Sequence, residues 1–141
     1  MSEPLSIEYL RIPSRLDELV RVDEFVERIG REMGFDDSAV ADLGICVTEA
    51  ATNSIVHAHH ERPDLFVEIR FERYSDCLII GVRDYGQGFN AGWVPDPTLP
   101  ENLLKSHGRG VHLIHALMDS MEIKRLPDGL QIVMTKRLAR P

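Results

Sequence analysis

Residues 37–58 contain the pattern that most constrains how this chain can fold. Apolar and small residues recur there at helical spacing, and further apolar residues fall on the other side of the same helix. The main stripe consists of Val40, Leu43, Val47, Ala51, Ser54 and Ala58, and the other side of Ile45, Cys46 and Val56. Because a helix that is apolar most of the way round is covered on more than one side, we predict a central helix that ends near Ala58.

Alternation of apolar and polar residues predicts two hairpins after this helix. Residues 65–72 and 78–84 alternate with period two and are separated by a Tyr74-Ser75-Asp76 turn. Residues 121–126 and 130–138 form a second pair, joined by Pro127-Asp128-Gly129. Strands paired as hairpins, with helices gathered elsewhere, predict an α+β two-layer sandwich.

The first 34 residues predict one strand followed by one helix. Residues 5–12 alternate as a strand, and one side of it carries Leu5, Ile7 and Tyr9. Ser14 and Asp17 have the spacing of a capping box. A helical pattern then runs to Gly34, which is a helix stop.

The stretch between the two hairpins has no clear period. Residues 90–107 contain three prolines, and a long irregular stretch inside a compact domain often acts as a lid. A short helix follows Gly110. Since 141 residues fit one domain, we predict a single domain over residues 1–141 with a lid at about residues 90–107.

Charge and cysteine content exclude several classes of protein. The chain has 16 Lys+Arg and 23 Asp+Glu, and its whole net charge of −7 falls within residues 1–50. A broad basic patch is missing, which argues against nucleic-acid binding. No apolar run reaches the roughly 20 residues of a membrane span, and Cys46 and Cys77 look like buried small hydrophobes. We expect a soluble, cytoplasmic protein that binds neither membranes nor nucleic acid.

Glu49 and Asn53 are the first candidates for chemistry. Four residues apart on a helix, they project from one side, next to apolar neighbours rather than on a solvated face. Burial of a carboxylate and an amide without partners costs free energy. Such a pair could hold Mg²⁺ through the Asn oxygen, with substrate phosphates completing the shell, and present the Glu as a general base; the alternative is an ordinary polar helix face.

Asp84 is the second candidate. It extends the inward parity of the strand that precedes it, and Gly86 and Gly88 follow it. A carboxylate at this strand end would be partly buried and would need hydrogen-bond donors. The glycines permit close approach of the backbone. A strand that leaves the sheet through a glycine-rich turn explains the same pattern.

Residues 106–111 are the third candidate, since Gly108, Arg109 and Gly110 lead into a helix. Exposed N–H groups at a helix start bind phosphate, although Gly-x-Gly alone is common. The segment is neither a Walker A loop nor a dinucleotide fingerprint. A zinc site at His57, His59 and His60 is not supported, because these residues are poorly placed to share one helical face; a polar helix end accounts for them.

Taken in order, the three motifs resemble those of the GHKL (Bergerat-fold) ATPases, and most closely those of the anti-sigma-factor serine/threonine kinases of bacterial partner switching. The N box would be residues 49–58, the first glycine box 84–89 and the second 108–114. The resemblance covers about residues 16–138. It implies a two-layer α/β sandwich with a mixed, mostly antiparallel sheet and helices on one face.

The resemblance also implies roles for individual residues. Glu49 would be the general base and Asn53 the Mg²⁺ ligand. Asp84 would accept a hydrogen bond from the adenine amine, with Gly86 and Gly88 packing closely around the base. Gly108, Arg109 and Gly110 would face the phosphates. The lid has no strong run of Lys, and Lys105 and Arg109 are the candidates for holding the γ-phosphate. GTP offers a carbonyl oxygen where ATP offers an amine, which costs on the order of 1–3 kcal/mol against a carboxylate, so we expect a preference for ATP.

The function implied by the resemblance is an ATP-dependent serine/threonine kinase that is also an anti-sigma factor. It would phosphorylate a STAS-type anti-anti-sigma protein and sequester a sigma factor, with ATP and Mg²⁺ as cofactors. The family often dimerises, so a homodimer is compatible with it. Two alternatives stay open: a non-catalytic, nucleotide-gated protein-binding module, and an α+β scaffold that binds no nucleotide and uses its glycines only for turns.

Overall fold

The computed structural model describes residues 3–86 and 109–139. The described part of the chain forms five strands, three α-helices and two short helical turns. In chain order these are β1 (Ser6–Pro13), a 3-10 turn (Leu16–Glu18), α1 (Leu19–Met33), α2 (Asp37–Asn53), a π-helical turn (Ser54–Ala58), β2 (Phe66–Arg73), β3 (Cys77–Asp84), α3 (Arg109–Leu117), β4 (Ser120–Leu126) and β5 (Gly129–Arg137).

The five strands make one sheet in the order β1-β2-β3-β5-β4. Alternate residues of each central strand point into one apolar core, as Val67, Ile69 and Phe71 of β2 do. The α+β sandwich is therefore confirmed. The expectation of a mixed sheet is wrong for the described strands, because every neighbouring pair among them is antiparallel.

Helix α2 is the centre of the helical layer, as its apolar pattern predicts. It packs against α1, α3 and β3, and Leu43, Val47 and Ala51 are fully buried. The continuous stretch Asp37–Ala58 is long and apolar enough by composition to span a membrane, yet in the described fold it is the core helix. Burial raises the pKa of the Cys46 thiol to about 11, consistent with a packing role.

In edge strand β1, the side that packs into the core is the one opposite to Leu5, Ile7 and Tyr9. Leu10 and Ile12 enter the core. Leu5, Ile7 and Tyr9 instead stay exposed, Tyr9 by 67%. Since a strand has two faces and both faces of β1 carry apolar residues, alternation alone does not indicate which face the helices cover.

The helix ends differ in how well the sequence predicts them. Gly34 ends α1 in a left-handed conformation with φ of 91°, as expected, and the Asp36 side chain caps α2 by accepting the Ala39 N–H at 2.8 Å. The predicted capping box at Ser14 and Asp17 is wrong. Helix α1 begins after the 3-10 turn without a side-chain cap hydrogen bond, because the Ser14 hydroxyl is engaged with His59 instead.

The predicted second helix changes character after Asn53. Residues Ser54–Ala58 form a single π-helical turn, a feature that often marks functional sites. His60 and Glu61 then follow with positive φ values of 51° and 58°. The π-helical turn and the change of chain direction at His60 and Glu61 set the direction in which the side chains of this segment point.

We predict that Gly34→Ala lowers the free energy of unfolding by about 1 kcal/mol, the cost of a left-handed backbone for a residue with a Cβ. A Cβ at this position meets no atom within 4 Å, so the loss comes from the backbone alone. Urea unfolding of the wild type and Gly34→Ala measures it. Gly34→Asn is the matched control, since Asn tolerates this conformation; an equal loss in both variants would contradict the explanation.

Candidate functional site

Asp84 lies at the end of β3 and points into the molecule, as its strand parity predicts. It is 3% exposed. Its Oδ1 atom accepts the backbone N–H of Gly86 at 3.2 Å and that of Leu130 at 3.1 Å. These two bonds fix the carboxylate between the segment that leaves β3 and the start of β5.

The turn between β4 and β5 closes directly on Asp84. Gly129 has a φ of 155°, and a Cβ there would overlap the Asp84 carbonyl oxygen, so no other residue fits without movement. On the other side of β3, Arg83 forms an ion pair of 2.5 Å with Asp128 of the same turn. The turn predicted from Pro127-Asp128-Gly129 thus helps to build the site as well as joining two strands.

Burial dominates the electrostatics of Asp84. Loss of hydration raises its pKa to about 6, although the hydrogen bonds from Gly86 and Leu130 and the charge of Arg83 act in the opposite direction. The carboxylate is therefore mostly ionised at neutral pH at an appreciable cost in folding free energy. Strongly shifted groups of this kind cluster at functional sites.

Glu49 and Asn53 lie on the last turns of α2. Glu49 is half-buried and Asn53 is 6% exposed. The Nδ2 atom of Asn53 has no hydrogen-bond partner among the described residues. A buried amide nitrogen without a partner is unusual in a folded protein, and it fits a group that contacts a ligand.

Ser54 brings the α2 residues and Asp84 together. Its hydroxyl donates to the Ala50 carbonyl at 3.3 Å and is close enough to Asp84 to lower the pKa of that carboxyl. Because Ser54 directly follows Asn53, the first two of the three predicted motifs meet at this end of the sheet. Ser54 and Asp84 are thus neighbours in the fold although 30 positions separate them.

His59 is a part of the site that sequence reasoning missed. It is completely buried, and its Nδ1 lies 2.6 Å from the Ser14 hydroxyl. Its Nε2 accepts the backbone N–H of Tyr85, the residue after Asp84, at 2.9 Å. No sequence signal separates His59 from His57 and His60, since its burial depends on the backbone reversal that follows it.

The third predicted motif is described only in part. Gly88, Lys105, Gly108 and the lid at about residues 90–107 lie outside the described residues. The predicted short helix is present, but Arg109 and Gly110 are its first residues, so α3 begins two positions before the start predicted after Gly110. Gly86 is buried beside Asp84. Helix α3 packs against α2, which places this motif on the same helical layer as Glu49 and Asn53.

A profile of histidine kinase-like ATPase domains matches residues 12–136 of the chain. The chain belongs to this family. The match takes in every element from the end of β1 to β5 and all three motifs. It confirms the GHKL resemblance that the motifs suggest.

The similar proteins include bacterial kinases. The serine-protein kinase RsbW of Oceanobacillus iheyensis is 32% identical over 117 residues, which cover 79% of this chain and 73% of that protein. The serine-protein kinase RsbW of Bacillus subtilis is 28% identical over 137 residues, covering 92% and 84%. These relatives confirm the predicted resemblance to anti-sigma-factor serine kinases.

A solved structure supports the fold. The crystal structure of the RsbU and RsbW domains of a Mycobacterium tuberculosis protein aligns with a TM-score of 0.67 over 98% of this chain. The identity is 19%, and the chain spans 34% of that longer protein. At this identity the likeness extends to the fold alone.

We predict that Asp84→Asn stabilises the protein without nucleotide. The folded-state pKa of Asp84 lies above its unfolded value near 3.8, so its contribution to stability is complete below pH 3.8 and is lost as the pH rises through about 6. Asn keeps an oxygen acceptor for both N–H groups and does not titrate. The difference in unfolding free energy, variant minus wild type, should therefore grow by about 2–3 kcal/mol between pH 4 and 7.

Urea unfolding of both proteins at several pH values tests this. Titration of other groups, including His59, cancels in the difference. A difference that does not change with pH would show that Asp84 carries no raised pKa. Asp84→Ala is the control, because it removes the acceptor and should destabilise the fold at every pH.

Proposed function

We propose that this chain is an ATP-dependent serine/threonine kinase and anti-sigma factor that phosphorylates a STAS-type anti-anti-sigma protein and sequesters a sigma factor. The observation that supports this most is the buried carboxylate of Asp84, which lies beside Ser54 of the N box, together with the buried Asn53 amide, whose Nδ2 atom has no hydrogen-bond partner among the described residues. The family match and the relatives named serine-protein kinase support the same function.

At the adenine end, Asp84 accepts a hydrogen bond from the exocyclic amine of ATP. The backbone bonds from Gly86 and Leu130 hold its carboxylate in place before the nucleotide arrives, so little ordering is needed on binding. Gly86, and by resemblance Gly88, lets the backbone pack against the base. The same carboxylate disfavours guanine, whose carbonyl oxygen would face it.

At the phosphate end, Glu49 takes the proton of the substrate hydroxyl and Asn53 is the protein ligand of Mg²⁺. When bound, the ion neutralises phosphate charge. The Oδ1 atom of Asn53 would suit an ion that takes one protein ligand and completes its shell with phosphate and water oxygens. Gly108, Arg109 and Gly110 contact the phosphates at the start of α3, and Lys105 supplies a further positive charge.

We also propose a domain organisation, a cellular location and an assembly state. Residues 1–141 form one ATP-binding domain whose lid is at about residues 90–107, and the protein acts in the cytoplasm without binding membranes or nucleic acid. A homodimer is also part of the proposal. Edge strand β1 offers a suitable surface for a second copy, because Leu5, Ile7 and Tyr9 are exposed there.

The second candidate is a nucleotide-gated module that binds its partners without phosphotransfer. Fold and nucleotide binding are common to both candidates. Glu49 favours the kinase, since a general base is needed only for transfer to a hydroxyl.

We predict that Glu49→Gln lowers the rate of phosphotransfer to a STAS-type protein by 10²–10⁴-fold, the usual contribution of a general base. Affinity for Mg-ATP should stay within about threefold, because the side chain acts on the acceptor hydroxyl. Transfer is measured with radiolabelled ATP and the STAS-type proteins of the same organism, and affinity by calorimetry. Glu122→Gln, at an exposed position on β4, is the matched control and should change neither.

The two candidates give different results in this assay. If the wild type binds Mg-ATP but phosphorylates none of the STAS-type proteins, the protein is the non-catalytic module. If Glu49→Gln transfers phosphate at the wild-type rate, Glu49 is not the base.

A further inference from the structure

His59 connects three segments that are far apart in the sequence. Its ring lies between Ser14, just after β1, and Tyr85, just after β3, with hydrogen bonds of 2.6 Å and 2.9 Å. The ring is completely buried. Both nitrogens are therefore engaged within the protein, and neither faces solvent.

The hydrogen-bond pattern fixes the tautomer of the ring. A backbone N–H can only donate, so Nε2 must accept from Tyr85 and the ring proton must be on Nδ1. Nδ1–H then donates to the Ser14 hydroxyl oxygen. Burial lowers the pKa of His59 and outweighs the nearby Asp64 carboxylate, which acts in the opposite direction, so the imidazole is neutral at physiological pH, as this pattern requires.

The backbone around His59 is shaped to place the ring. His60 and Glu61 both have positive φ, which costs non-glycine residues free energy. The reversal is closed by the Glu61 N–H to the Ile55 carbonyl at 2.7 Å and by the Arg62 N–H to the His59 carbonyl at 3.0 Å. It turns the ring inward toward the end of β3.

Tyr85 links His59 to the adenine end of the site. It lies between Asp84 and Gly86, which are themselves hydrogen-bonded to each other. On the outer face of the sheet its hydroxyl donates to Glu68, and its ring stacks 4.2 Å from the Arg83 guanidinium. The His59 bond holds the Tyr85 N–H from the inner side.

We propose that His59 is a positioning residue for base recognition: by accepting the Tyr85 N–H, it fixes the main chain that orients the Asp84 carboxylate toward the nucleotide base. This inference rests on the proposed ATP-binding function. A neutral histidine thereby contributes to the discrimination between a base that offers an amine and one that offers a carbonyl oxygen. It acts through a single backbone hydrogen bond.

Two variants that differ by one methylene group test the proposal. His59→Gln places an amide oxygen at the reach of Nε2 and can accept the Tyr85 N–H. His59→Asn can reach only toward Ser14. Ser14→Ala is the control, since it removes the other hydrogen bond of His59 and leaves the bond to Tyr85 in place.

Affinities for Mg-ATP and Mg-ITP are measured by calorimetry at pH 7.5, below the melting temperature of each variant. ITP carries a carbonyl oxygen in place of the adenine amine and a proton on N1, so it lacks the contact proposed for Asp84 and keeps the sugar and phosphates unchanged. We expect wild type, His59→Gln and Ser14→Ala to prefer ATP. His59→Asn should bind ATP about tenfold more weakly, the usual effect of losing one buried hydrogen-bond partner, with its ITP affinity unchanged.

The outcomes distinguish a failure of the inference from a failure of the proposed function. If His59→Asn weakens ATP and ITP equally, or if His59→Gln does not restore the preference, His59 has only a structural role and the inference is wrong. If His59→Asn keeps the full preference for ATP, the inference is also wrong while the proposed function stands. If the wild type itself does not bind ATP, both are overturned.

Discussion

A buried carboxylate at the end of β3 is the constraint on which this structure depends. Asp84 sits where the sheet, the turn between β4 and β5, and the π-helical turn after α2 meet. Removing it from water opposes folding, as its raised pKa shows. The surrounding segments are arranged to offset this with backbone donors, and that arrangement creates a fixed acceptor at one end of the sheet.

Several residues that are far apart in the sequence contact or position the Asp84 carboxylate. Gly129 lets the turn approach the Asp84 main chain, and Leu130 donates to its side chain. His59 holds the residue that follows it, and Ser54 lies against it. The stability that the protein loses at Asp84 is the expected counterpart of a site preorganised for a ligand.

The local pattern of the sequence is enough to predict most of the fold. Helix α2, the two hairpins and the inward direction of Asp84 follow from period and parity, and Gly34 marks a helix end correctly. What the sequence does not determine are interactions between distant segments. The Ser14 hydroxyl has the spacing of a helix cap, but a buried histidine 45 positions away binds it instead. The solvent-facing side of β1 depends on which face the helices cover, and the antiparallel match of β3 with β5 is a long-range pairing.

The candidate site likewise contains residues that the sequence predicts and others that it does not. Glu49, Asn53 and Asp84 can be selected from residue type and spacing, because carboxylates and amides in apolar surroundings need a reason to be there. His59 cannot be selected, since its role arises from the positive-φ reversal at His60 and Glu61. The proximity of Ser54 to Asp84, which brings the first two motifs together, is likewise visible only in the fold.

Calorimetric titration of the wild type and Asp84→Asn with Mg-ATP and with Mg-GTP tests the central claim most directly. If Asp84 is the acceptor for the adenine amine, the wild type binds ATP at least tenfold more tightly than GTP. Asp84→Asn then loses affinity for ATP and no longer discriminates against GTP, because an amide can donate to the guanine carbonyl as well as accept from the adenine amine. Equal affinity of the wild type for both nucleotides, or unchanged selectivity in Asp84→Asn, would contradict the account.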